Sequence, residues 1–503
     1  MLNSLLLKTG GNMGQTRKDF TSVWIFILAA VGSAAGLGNL WRFPYLAYEH
    51  GGAAFFIAYI ICLLCIGLPL LILEVGLGKV SKKGAPESLA LIGHAKRFKI
   101  IGWLAVLAAF GVLTYYIVIT SWVLNFAVDS FKMPWQTGSE SYFFNQFLGL
   151  SAGIDSFGTP KLAIVLGVIA ILLLTYISLY RGTSGLAFVA KWITPIPFIL
   201  LIILLANSVS LSGSLTGLYA LFVPIWSSLL ETKIWFAAAT QVIFSISLAT
   251  GVMFAYGALL GKDVKIGRTC TIVVIGDTLA SIICSMIVFS VLGHVAHVDG
   301  KSIHDVVSGG IGLAFVVIPH ALTLLPAAQE FFSFIFYASV FFLAFTSIVS
   351  LFEAVLAALM DSKIKLKRAS ILFIICVALL ICNLFYTMGN GLYLLDVVDH
   401  FINGYLMLVV MVAEALVIAW LYDINKLTRE LFPNHNANNI LHVMFKALTA
   451  YIIPIVLSVL FIKQVYADIS GGYGGYPNGY LWGIGALILI LSVVIAQRLS
   501  RKV

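Results

Sequence analysis

The chain has 503 residues, 61% hydrophobic and only 10% charged, with a mean hydropathy of +1.04 and a formal net charge of +9. No soluble globular class has that composition, so the sequence is that of a polytopic membrane protein. The excess of basic residues includes no aromatic-interleaved basic patch, which argues against a nucleic-acid partner.

A window of about 19 to 20 residues finds apolar segments centred near residues 30, 65, 112, 170, 197, 246, 284, 342, 374, 409, 453 and 487. The twelve predicted spans include a close pair, near 170 and 197, separated only by "YRGTSG". An even number places both chain ends on one side of the lipid bilayer. That side holds 24 of the 30 Lys and Arg residues, so the positive-inside rule makes both termini cytoplasmic. The net charge is thereby explained as topology.

Residues 1–19 read as a cytoplasmic segment whose only apolar run, "LLL", is too short for a signal-peptide core, so the first span is expected to be its own insertion signal. Within that span, after the apolar run Val23 to Val31, comes "GSAAGLGNLWRFPY" at 32–45. Gly costs a helix about 1 kcal/mol against Ala and Pro about 3, so the helix should break here. In lipid a break is tolerated only where it is buried in protein or lines a cavity. In the second span Cys62 and Cys65 have the spacing of a metal or redox pair, but they lie in an apolar helix with no second pair nearby and read as packing. The Gly-rich polar loop from Met133 to Pro160 is predicted to be external.

The sixth span, "WFAAATQVIFSISLATGVMFAYGALL", is interrupted at Ser245 to Gly251 by hydroxyls and a Gly. His294, His297 and His304 then read as a solvated cluster in an external loop. Residues 309–326 are apolar but broken by Gly and Pro, and read either as a helical hairpin serving as a lid or as a re-entrant structural loop. "SGGYGGYPNGY" at 470–480 reads as a turn-rich connector.

Two broken spans five apart are the sequence pointer to an inverted-repeat secondary transporter, with ligands held at the breaks. The predicted fold is an all-α membrane protein of twelve transmembrane helices with helices 1 and 6 broken. Its first five-helix repeat is 20–210 and its second, inverted, is 211–425; helices 11 and 12 occupy 426–497 and a cytoplasmic tail 498–503.

"GSAAGLGNLWRFPY" followed by "YEHGGAAFFIAY", then "YYIVITSW", "QVIFSIS", "FTS" and "LDVVDHF", in this order, resemble the neurotransmitter:sodium symporter family, especially its bacterial amino-acid transporters. The likeness runs from Arg17 to near the end of the chain. It implies the fold of the bacterial leucine transporter, a multi-pass protein of the bacterial inner membrane, and two sodium sites. A monomer is expected to suffice for transport, with a dimer left open.

By this resemblance one sodium is held by the carbonyls of Gly32, Ala35 and Leu343 and the hydroxyls of Thr346 and Ser347. The other takes the carbonyl of Ala34 and the side chains of Asn39, Ser245 and Asp277. Hard cations want several oxygens, and broken helices free carbonyls to supply them. Asp277 sits mid-span, where a carboxylate costs about 2.5 to 3.5 kcal/mol and so signals function. Family members that use chloride commonly carry Asn there. Tyr59, Gln241, Ser245 and Ser281 match the chloride-site positions, so the Asp277 carboxylate is expected to replace the anion and make chloride unnecessary. A protonatable switch at Asp277 is the rival reading.

The resemblance places the substrate against Ser33, Ala34, Leu37, Gly38, Val112, Tyr116, Phe244, Ser245, Ser247, Thr250, Ser347 and Leu351. Amides freed near Leu37 and Gly38 would face a carboxylate. Gly36 stands where the family's amine transporters carry Asp, which points to amino acids over biogenic amines. Ala249 and Thr250 depart from the usual Gly and aromatic or Met, which suggests a large apolar or aromatic amino acid and leaves another neutral solute, such as a nucleoside, as the alternative. Arg42 and Asp399 match the external gate, Arg17 and Asp361 the internal one; Leu259 replaces a Tyr there and is expected to loosen closure.

A channel would need a continuous polar stripe, whereas the polar groups here gather at one depth. An enzyme is not expected, because Asp277 has no assigned His, Ser or Lys partner and Glu74 and Glu353 read as structural hydrogen-bonders. A solute sensor that does not transport is not separable by sequence.

Overall fold

The computed structural model describes residues 19–92, 96–362, 364–421, 428 and 440–502. Every regular element among them is helical. Ten helices are long and apolar enough to cross a membrane, or up to twelve if two bent pairs each count as one span. The first pair, Val23–Ala34 (α1a) and Gly38–Glu49 (α1b), is bent by 56°. The unbent spans are α2 (Ala53–Ser81), α3 (Lys96–Asp129), α4 (Leu162–Tyr180) and α5 (Thr183–Val209). In the second bent pair, Ser214–Leu230 meets Thr232–Ser245 at 118°. Thr232–Ser245 is α6a, and the chain regains helix as α6b at Val252–Gly257. The rest are α7 (Ile266–Asp299), α8 (Gln329–Asp361), α9 (Arg368–Tyr386), α10 (Gly391–Trp420), α11 (Val443–Gly471) and α12 (Asn478–Arg501).

Proline shapes several of these spans without ending them. Pro44, Pro69, Pro195, Pro319 and Pro454 each follow a five-residue π turn by two residues. Pro has no N–H to give and its ring crowds the carbonyl four residues back, so the preceding turn widens and the helix continues. The π turn Ile402–Leu406 in α10 has no proline after it.

Burial sorts the helices into inner and outer. The most apolar window of α8 is 89% buried and that of α12 only 22%, although the two are almost equally hydropathic. In lipid, apolarity alone gives no inward drive, so the small and hydroxyl side chains of α8 decide its central place against α3, α1a and α6b. Glu353 of α8 bonds Arg368 at 2.6 Å, a paired structural role as expected.

Two loop expectations are corrected. Residues 310–323 form one apolar helix, Gly310–Thr323, preceded by the short Ile303–Val306, and no long hairpin. His294 is not solvated: α7 runs on to Asp299, and the His294 ring lies buried between the carbonyls of Ser212, 2.9 Å from Nδ1, and Leu324, 3.3 Å from Nε2. The glycine-rich connector after α11 holds two anchored tyrosines, described below.

Candidate functional site

At the α1 break the chain leaves the helix at Ala35, which is extended (φ −72°, ψ 102°). Asn39 stabilises the break by accepting the Gly36 N–H on Oδ1 at 3.0 Å. The Leu37 N–H donates to the Tyr116 hydroxyl at 3.3 Å, leaving the phenol proton to point elsewhere. A side chain at either Gly36 or Gly38 would press on its neighbours. A Cβ on Gly36 would lie 3.1 Å from both Ser347 Oγ and Tyr116 OH, and one on Gly38 3.0 Å from the Phe244 ring.

The α6 break spans 246–251 and contains two non-glycine residues in the left-handed region, Ser247 (φ 55°) and Ala249 (φ 56°), before Gly251 (φ 72°). Glu74 of α2 receives the Ala249 N–H on Oε1 at 2.9 Å, so this buried acid holds the break open, a structural role as expected. The two breaks are tied together: Ser247 Oγ donates to the Ser33 carbonyl at 3.0 Å, and Ser33 Oγ lies 3.1 Å from Ser247 Oγ.

All twelve residues expected to meet a substrate line one cavity of about 70 Å³ between the breaks: Ser33, Ala34, Leu37, Gly38, Val112, Tyr116, Phe244, Ser245, Ser247, Thr250, Ser347 and Leu351. No charged side chain among the described residues lines it. Above it opens a cavity of about 450 Å³ that shares Leu37, Gly38, Tyr116, Phe244, Asn403 and Met407 with the lower one.

The two predicted oxygen clusters are assembled as well. Thr346 Oγ1 lies 2.7 Å from the Gly32 carbonyl and 2.9 Å from that of Leu343, while Ser347 Oγ is 3.4 and 3.3 Å from the same two. Gly32 is also pressed by α5, because a Cβ there would lie 2.8 Å from Thr194 Oγ1, a contact the sequence reading missed. Ala35 is buried beside this cluster. In the second cluster the fully buried Asp277 accepts Asn39 Nδ2 at 2.8 Å and the Ser245 hydroxyl, 2.9 and 2.8 Å from its two oxygens; Tyr59 OH lies 3.3 Å away. No Lys, Arg or His among the described residues pairs with Asp277. Ser281 accepts from Asn39 Nδ2 at 2.8 Å. The Gln241 amide, also buried, has no hydrogen-bond partner among the described residues.

The expected external pair is open. Arg42 donates to Thr240 at 3.4 Å and sits over the Phe244 ring, 5.3 Å from its centroid, whereas Asp399 accepts Asn403 Nδ2 at 2.7 Å. Both acid and base line the larger cavity, which keeps them apart. The opposite end, which carries the basic loops, is sealed. Phe20 N–H reaches the Leu259 carbonyl at 2.8 Å, and Lys82 bonds Asp19 at 2.8 Å and the Leu260 carbonyl at 2.5 Å. Asp361 receives the Gly84 N–H at 2.7 Å, with Lys83 at 3.6 Å. Arg17, its expected partner, lies outside the described residues. Leu259 does not leave a gap, since it is buried and its carbonyl joins the seal.

Sequence reasoning missed the side of the larger cavity built from α10, α11 and the loop after it. Tyr473 and Tyr476 donate their hydroxyls to the two oxygens of Asp396, each at 2.9 Å. Burial, reinforced by Asp396, pushes both phenols well above their ordinary range, so they stay protonated donors. Tyr473 also stacks on His400 at 3.7 Å, and His400 meets Asp468 at 2.6 Å. The repeated Gly-Gly-Tyr of the loop was the available signal. The glycines take positive φ at 472, 474 and 475 and let both rings turn inward.

Residues 17–142 and 136–501 match the sodium:neurotransmitter symporter family. An uncharacterized sodium-dependent transporter of Methanocaldococcus jannaschii is 35% identical over 486 residues, covering 96% of this chain and 98% of its own. Sodium-dependent nutrient amino acid transporter 1 is 26% identical in Drosophila grimshawi, over 93% of this chain and 81% of its own. The same transporter in Drosophila persimilis is also 26% identical, over 92% and 78%. Two broken spans facing one uncharged cavity, beside a buried carboxylate with no cationic partner, suit sodium-coupled carriage of a small molecule across a membrane, and by sequence and fold the chain belongs to the sodium:neurotransmitter symporter family, whose members are transporters and not enzymes.

Proposed function

We propose that the chain is a symporter that couples two sodium ions to the uptake of one neutral amino acid with a large apolar or aromatic side chain. The observation that carries this reading is the uncharged cavity at the α1 break, where Gly36, the Leu37 N–H and Tyr116 OH come together. A biogenic amine would enter with no carboxylate to meet it. An amino acid brings its own, which faces the Leu37 amide, the Tyr116 phenol and a sodium ion held by Asn39, Ser245 and Asp277. The nutrient amino acid transporters of the two Drosophila species support the same substrate class, as does the likeness to bacterial amino-acid transporters.

In this reading the second sodium sits among Gly32, Ala35, Leu343, Thr346 and Ser347. Asp277 supplies the negative charge that chloride gives elsewhere in the family. The sealed, basic end is cytoplasmic, as are both termini, so the conformation is open to the outside. Closure brings Arg42 and Asp399 together over the substrate, and opening of the far side parts the contacts around Phe20, Lys82 and Asp361. A single chain contains every element this cycle uses.

The test is thermal stability of the detergent-solubilised protein against amino acids and nucleosides, each in sodium and in potassium. A ligand at 100 times its dissociation constant adds about 2.7 kcal/mol. Stabilisation by large neutral amino acids in sodium alone is the expected outcome. Stabilisation by nucleosides only would overturn the substrate class, and indifference to sodium would overturn both ion sites.

A further inference from the structure

Two carboxylates and one guanidinium share the wall of the larger cavity. Asp396 and Asp399 both face it from α10, and Arg42 is its one Arg or Lys among the described residues. The two acids stand at different depths. On α10 the lower cavity is lined by Asn403 and Met407, so Asp399 lies about one turn above it and Asp396 three residues further out, about 4.5 Å along the helix. Residues three apart on a helix are neighbours, so an arginine side chain that reaches one acid can reach the other. Arg42 already sits over the Phe244 ring, which lines both cavities. Paired with Asp399, the guanidinium covers the lower cavity. Paired with Asp396, it is drawn outward and leaves that cavity uncovered.

The acids also differ in what they already hold. Asp396 accepts the Tyr473 hydroxyl on Oδ1 and the Tyr476 hydroxyl on Oδ2, each at 2.9 Å. Both donors come from the connector after α11. A Cβ on Gly474 would lie 2.6 Å from the Tyr476 ring, so the absence of a side chain there is what lets Tyr476 fold back onto Asp396. The Tyr473 ring is fixed by its stack on His400, with centroids 3.7 Å apart. Asp399, in contrast, accepts Asn403 Nδ2 on Oδ1 at 2.7 Å, and its Oδ2 carries no hydrogen bond among the described residues.

Arginine binds a carboxylate best through a fork of two parallel bonds, one to each oxygen. With a phenol already on each oxygen, Asp396 is the poorer partner for that fork, whereas Asp399 keeps one oxygen open. We infer that Tyr473 and Tyr476 are positioning residues of the external gate: by donating to both oxygens of Asp396 they withdraw it from competition for Arg42, so that the gate closes on Asp399, at the depth that covers the substrate. This rests on the gated amino-acid symporter reading above and deepens it.

The experiment follows dissociation of radiolabelled leucine and phenylalanine, in sodium, from the full detergent-solubilised chain, from the double variant Tyr473→Phe with Tyr476→Phe, and from a triple variant that adds Asp396→Asn. Phenylalanine keeps both rings, including the stack on His400, and removes only the donors. In the double variant the freed Asp396 competes for Arg42, and dissociation should quicken about tenfold. Asp396→Asn removes the competing charge and should bring the rate back to within about threefold of wild type. Mere loosening of the connector would quicken dissociation equally in the double and triple variants, since neither retains a phenol on a carboxylate, and that result would overturn the inference. So would an unchanged rate in the double variant. Binding of neither amino acid to the wild-type protein would instead overturn the amino-acid reading, and this inference with it.

Discussion

The Ser245 hydroxyl lies 2.9 and 2.8 Å from the two oxygens of Asp277, joining the end of α6a to the middle of α7. The carboxylate accepts three kinds of neutral donor, from Ser245, Asn39 and Tyr59, and meets no fixed cation among the described residues. A sodium ion is the charge that would complete it. Replacing chloride by gluconate should leave uptake by the wild-type protein unchanged. In Asp277→Asn one negative charge is lost, so apparent sodium affinity should fall by about tenfold, corresponding to about 1.4 kcal/mol, and uptake should come to depend on chloride. Vesicle uptake in the two anions decides this, and a chloride requirement in the wild type would show that Asp277 does not replace the anion.

Glu74 holds the second break through the Ala249 N–H. Glu74→Ala strands that buried donor and should destabilise the protein by about 1 to 3 kcal/mol. Glu74→Gln keeps an acceptor and should lose less. Melting temperatures of the two variants give the ranking, and equal losses would mean that the hydrogen bond is not what matters.

Ala249 itself sits at φ 56°, a region that costs an L-residue about 1 to 2 kcal/mol. Ala249→Gly removes that strain but gains about 0.4 to 1 kcal/mol of unfolded-state entropy. The expected net is a stabilisation of between about 0 and 1.6 kcal/mol, taking the difference of those two terms. A clear fall in melting temperature would show that the methyl packs more usefully than its backbone strain costs.

The loop after α11 is pinned by Tyr473 and Tyr476 to Asp396. Both phenols are raised by burial first and by Asp396 second. A raised phenol favours its protonated form in the folded state, so the stability it contributes is present below its unfolded value and lost only as pH rises through the folded one. Hydrogen exchange in residues 472–477 should therefore remain protected up to about pH 10, where a free phenol is half ionised. Asp396→Ala should release the loop at neutral pH, seen as faster exchange there with the α8 core unchanged. Unchanged exchange in this variant would show that His400 stacking alone holds the loop.

Much of this protein was legible along the chain. Membrane class followed from composition, and the ten to twelve candidate spans from apolar length. The α1 break could be read because Gly, Asn and Pro are intrinsically unhelical and lipid makes a break costly. These are local properties, carried by a residue and its near neighbours.

The rest depended on which residues the fold brings together. Asn403 belongs to no motif, and only the fold sets it between two cavities with its amide donating to Asp399. Tyr473 read only as part of a turn-rich connector and His294 as a solvated loop residue, and they became a stacked cavity wall and a buried clamp only once distant helices supplied Asp396, His400 and the carbonyls of Ser212 and Leu324. Hydrogen-bond satisfaction and burial are set by partners tens or hundreds of positions away, and no local pattern encodes them.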